Sequence, residues 1–72
     1  MERGEAVGVL KEIISENLGM PSVVSLNRNE RCKFDLMLKG DCDVHALQKF
    51  VAERNLSIRE DKENGYLTIF KP

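Results

Sequence analysis

Ala6, Val9, Leu10, Ile13, Ile14 and Leu18 recur at spacings of three and four, the period of a helix with one buried stripe. Gly19, Met20 and Pro21 then stop it. Val23–Asn27 and Arg31–Lys39 are separated by the polar group Arg28, Asn29, Glu30, which predicts a hairpin turning near Asn29. In the longer strand Cys32, Phe34, Leu36 and Leu38 alternate with Lys33, Asp35, Met37 and Lys39. The even positions are therefore expected to face the core. Gly40, Asp41, Cys42 and Asp43 form the next break, and an Asp there can accept hydrogen bonds from the free amides of a following helix. That helix carries the stripe Val44, Leu47, Phe50 and Val51. Asn55 suits the left-handed residue that ends a helix. Leu56–Asp61 and Tyr66–Lys71 then flank Asn64-Gly65, a strong hairpin signal.

The predicted fold is one α+β domain spanning residues 1–72, a two-layer αββαββ sandwich of two helices on a four-stranded, mainly antiparallel sheet. A helical crossover returns the chain in the same direction, so the strands before and after the second helix run parallel to each other. The sheet stays antiparallel only if the first or the last strand lies between them. The order 1-2-4-3 does this and preserves a two-fold between two αββ units. Val7, Leu10, Ile13, Ile14 and Glu16 echo Val44, Leu47, Phe50, Val51 and Glu53 at a constant offset, although the hairpins align poorly.

In the last strand Tyr66 and Phe70 point to one side while Leu67 and Ile69 point to the other. A two-residue Asn64-Gly65 loop, or a four-residue loop from Lys62 to Gly65, places Leu67 and Ile69 with Leu56 and Ile58 and turns the aromatics outward. A three-residue loop with a glycine bulge would invert this. In the favoured register Lys33, Met37, Lys39, Arg59, Tyr66 and Phe70 share a face that the helices leave open. Packing of the first helix onto it would instead make a three-layer domain.

Composition narrows what such a face can do. Eleven Lys and Arg against twelve Asp and Glu give a formal charge of −1, which removes the argument for nonspecific nucleic-acid binding by net charge. The N-terminus leads into an amphipathic stretch rather than an apolar one, so no signal peptide is expected. No apolar run approaches the ~18 residues of a membrane span. Reduced thiols and a cytoplasmic setting are the corresponding expectations for Cys32 and Cys42.

Cys42 is the candidate reactive thiol, because the first turn of a helix favours a thiolate. Asp41 and Asp43 oppose that, and no nearby second cysteine could resolve a disulfide. Cys32 is expected to act as a small core hydrophobe, which makes Cys42 the faster thiol to alkylate. His45 and Cys42 have helical i, i+3 spacing, but two ligands do not make a metal site. The serines at 15, 22, 25 and 57 lie in no nucleophile motif, and no glycine-rich phosphate loop is present. The run Arg59–Glu63 lacks the spacing of a calcium loop. The sequence therefore predicts no catalytic residue, metal or cofactor.

A chain of 72 residues buries only about 60% of its unfolded surface, and such chains commonly gain stability from outside the fold. The leading expectation is a noncatalytic protein-interaction or self-association module, a homodimer or the partner of another protein. Aromatic and basic residues on an open sheet also suit single-stranded RNA, although Asp35 and Asp61 share the face and the RNA-recognition signature is missing. A sulfur or redox carrier acting through Cys42 is the remaining alternative.

Overall fold

The amphipathic stripes become two helices on one side of a sheet in the computed structural model, which describes residues 1–72. The order is α1 (Arg3–Ser15), β1 (Gly19–Arg28), β2 (Phe34–Cys42), α2 (Val44–Glu53), β3 (Ser57–Asp61) and β4 (Tyr66–Phe70). All strand pairs are antiparallel, in the order β1-β2-β4-β3. β4 inserts between β2 and β3, which is how two strands joined by a helical crossover share an antiparallel sheet.

Ala6, Val9 and Ile13 of α1 and Leu47, Phe50 and Val51 of α2 pack with Leu36, Leu38, Leu67 and Ile69 in one core. Those four sheet residues share one face through the pairs Leu36–Ile69 and Leu38–Leu67. Both helices therefore cover the same face, giving two layers and excluding a third layer built by α1. Arg54 bridges the helices on the outside. Its Nε donates to Glu12 Oε2 at 2.9 Å, its Nη1 donates to the Phe50 carbonyl at 3.2 Å, and its guanidinium stacks 3.7 Å from the centre of the Phe50 ring.

The helices end by the same device. Asn17 and Asn55 adopt left-handed φ of 56° and 57°. The amide of the leucine that follows donates to the carbonyl five residues back, Leu18 to Ile13 at 3.0 Å and Leu56 to Val51 at 2.9 Å. A side-chain amide tolerates this conformation better than a branched side chain does, and the bond satisfies a free helix carbonyl. Asn-Leu thus recurs after each helix, one residue out of step with the constant offset of the helix stripes.

Two sequence expectations are corrected at the first hairpin. Gly19, Met20 and Pro21 do not form a break but open β1, pairing with Cys42, Asp41 and Gly40. Pro21 fits because β1 is an edge strand and the register shifts between Pro21 and Val23, where a missing ladder donor does least harm. β2 begins at Phe34 rather than Arg31, because Asn29 organises a wider loop. Its side-chain oxygen accepts from the Arg31 amide at 2.9 Å and the Lys33 amide at 3.1 Å, and its backbone N–H donates to the Lys33 carbonyl at 2.7 Å. Beside this loop Met1 is buried and pairs with Phe34, accepting from its amide at 2.7 Å and donating to its carbonyl at 3.1 Å.

Gly40 lies opposite the irregularity with φ of +125°, and a Cβ there would stand 2.6 Å from the Ser22 amide nitrogen. Gly65 also has positive φ, +75°, but its Cβ would meet only Lys39 Cε at 3.7 Å. Gly40→Ala should therefore cost clearly more than Gly65→Ala, about 2–3 kcal/mol against about 1. Thermal unfolding checks this, since each kcal/mol lowers Tm by roughly 4–8 °C in a domain of this size. Equal losses would mean that the close approach at Gly40 is relaxed in solution.

Candidate functional site: the open face of the sheet

Opposite the helices, the sheet presents three rows of side chains across four strands. Val23, Lys39, Tyr66 and Asp61 form one row, and Ser25, Met37, Thr68 and Arg59 the next. Asn27 pairs with Asp35, and Phe70 with Ser57, in the third. The β3–β4 connection decides which side chains stand here. Asp61 pairs directly with Tyr66 across the four-residue loop Lys62–Gly65, so Leu67 and Ile69 join Ile58 on the helix side and the aromatics turn away.

The centre of this face is apolar. Met37, Tyr66 and Phe70 are partly buried, and Thr68 between them is only 5% exposed although no helix covers it. Its cross-strand neighbours are Met37 and Arg59, whose long side chains shield it. Two cations lean over the rings. Lys39 Nζ lies 5.3 Å from the centre of Tyr66, and the Arg59 guanidinium carbon 5.4 Å from that of Phe70. Such contacts keep the charge in water while the stem covers apolar surface.

Asp35 and Asp61 balance these cations on the same face. Asp35 Oδ1 accepts from Asn29 Nδ2 at 3.2 Å. The side-chain amide of Asn64, 2.9 Å from Asp61 Oδ2, holds the Asp61 carboxyl below its ordinary range, helped by the Asn64 and Glu63 backbone amides and by Arg59. Asp61 thereby also closes the β3–β4 loop.

Five of the six residues expected to form the surface, Met37, Lys39, Arg59, Tyr66 and Phe70, stand together on it. Lys33 does not. It precedes β2, and its ammonium pairs with Glu2 at the start of α1. Val23, Ser25 and Asn27 complete the face from β1. Sequence reasoning missed them because their facing follows from the hairpin register, which depends on the length of the Asn29 loop. Asn27 closes over Met37, its side-chain amide donating to the Met37 sulfur.

The cysteines exchange the roles expected of them. Cys32 is exposed, in the Asn29 loop, with a left-handed φ of 60°, so it is not a core residue of β2. Cys42 is the last residue of β2 and partly buried against the core. It stands before the helix cap, Asp43, whose Oδ1 accepts from the Ala46 amide at 3.1 Å, and so lies outside the first helical turn. Burial pushes its thiol pKa up, and Asp41 adds to the shift. Both effects disfavour a thiolate. His45 is exposed, and no cluster of three or more His, Cys, Asp or Glu has a metal-holding arrangement. No helix is long and apolar enough to cross a membrane.

Cys32 should therefore alkylate well before Cys42 under native conditions, with mass-resolved labelling as the readout. Faster labelling of Cys42 would show that the end of β2 opens or that its thiol is activated. Comparison of the chain with family models, with curated proteins and with solved structures finds no match.

Proposed function

We propose that this domain is a noncatalytic protein-docking module working in a reducing, cytoplasmic setting, with the open sheet face as its working surface. The observation that carries this reading is the apolar centre formed by Met37, Tyr66, Thr68 and Phe70, left without a covering helix and rimmed by Lys39, Arg59, Asp35 and Asp61. An apolar centre with two aromatics inside a charged rim that includes an arginine has the anatomy of a protein interface. The two opposite pairs of charges favour a protein surface over a polyanion.

The stacked Lys39–Tyr66 and Arg59–Phe70 pairs also support a second reading, single-stranded RNA laid across the rings. Salt separates the two. An RNA complex resting on two cations should lose about 25-fold in affinity for each tenfold rise in salt, whereas apolar docking holds or tightens.

Sedimentation over a concentration series should show association that persists from low to high salt, with no binding of a labelled uridine oligonucleotide. Phe70→Ser should weaken the association and leave the monomer folded. A monomer at all concentrations that binds the oligonucleotide and releases it with salt would overturn the docking reading. A Phe70→Ser variant that melts as a core deletion does would contradict the open face itself.

A further inference from the structure

The docking reading anticipates self-association without saying how two faces would meet, and the arrangement of charges on the face selects a geometry. We propose that the face is covered by a second copy of this chain, related by a two-fold that lies in the interface and crosses the strands at the row Ser25–Met37–Thr68–Arg59. The proposal rests on the docking reading and specifies its partner and register.

Asp35 and Lys39 stand on the same face of β2, two positions either side of Met37. Tyr66 and Phe70 stand likewise on β4, either side of Thr68. A two-fold through the middle row lays β2 over β2 and β4 over β4 while exchanging the outer rows. Asp35 of one copy then faces Lys39 of the other, twice, and Tyr66 faces Phe70, twice, with Met37 against Met37 on the axis. An aspartate and a lysine together reach across the ~10 Å between faced sheets.

The same operation places Arg59 over Arg59 by position, but each guanidinium is already drawn towards its own Phe70, 5.4 Å from the ring centre. That displacement carries it to the row facing Tyr66 and Asp61 of the other copy, so the two cations separate and each approaches a carboxylate. The alternative two-fold, running along the strands between β2 and β4, gives no such match. It puts Lys39 over Tyr66, Asp35 over Phe70 and Asp61 over Val23, leaving every charge without an opposite. An isologous interface must be self-complementary, and of these two operations the crossing two-fold makes this face so.

A stable dimer buries about 800 Å² on each partner, and the molecule measures 28 × 27 × 18 Å, so the interface would need nearly the whole of one broad side.

Charge exchange tests the register. Asp35→Lys and Lys39→Asp should each weaken self-association at least tenfold, since each brings like charges together twice. The double variant should restore it, because it has the pairing reversed and the net charge unchanged. An equimolar mixture of the two single variants should form heterodimers, measured by sedimentation with one component labelled. Circular dichroism of each single variant, together with recovery in the mixture, separates a lost contact from a lost fold. A dimer broken by Phe70→Ser but indifferent to all three charge variants would overturn this two-fold and leave the docking reading standing. A chain that stays monomeric at millimolar concentration overturns the proposal.

Discussion

β4 has hydrogen-bonded neighbours on both sides, β2 and β3, and none of its five residues is fully exposed. Strand geometry sends Leu67 and Ile69 to one face and Tyr66, Thr68 and Phe70 to the other. Both helices lie on the aliphatic face, where Leu67 and Ile69 join Leu36 and Leu38 in the core. The rest of the molecule follows from that division. In an all-antiparallel sheet the crossover through α2 needs a strand between β2 and β3, β4 takes that place rather than β1, and Tyr66, Thr68 and Phe70 therefore lie near the centre of the side that the helices leave open.

The face is partly protected by its own chain. Lys39 and Arg59 lie over the two rings, Asn27 closes on Met37, and Thr68 is shielded by its neighbours. Such stems reduce exposed apolar area without removing it, and a charged cover is readily displaced or shared when another surface arrives. A monomer kept dispersed and an interface ready to form are therefore consistent properties of one surface. The proposed partner would also offset a physical shortage, since a domain of this length has a small core and no disulfide.

Where periodicity and turn chemistry agree, the sequence was informative. Alternation in β4, the Asn64-Gly65 turn and the stripe of α2 together yield the layers, the register of the second hairpin and five of the six surface residues. The first hairpin was less legible because its signals are misleading locally. Gly19, Met20 and Pro21 look like a stop, yet Asn17 ends the helix and these residues pair in an edge strand that tolerates proline. Cys32 and Lys33 continue an alternating pattern beyond the point where Asn29 draws the chain into a loop. The burial of Cys42 was hidden for a related reason, since its pairing with Gly19 depends on a strand that local propensity does not announce.

Isotope-filtered nuclear Overhauser spectroscopy on a mixture of labelled and unlabelled chains would detect the proposed second copy over the outer face of β4. Intermolecular contacts are expected between the Tyr66 ring of one copy and the Phe70 ring of the other, with the Met37 methyl groups also in contact across the axis. Intermolecular contacts confined to Met20, Val23 and Val24 on the β1 edge, or to the helices, would contradict that placement.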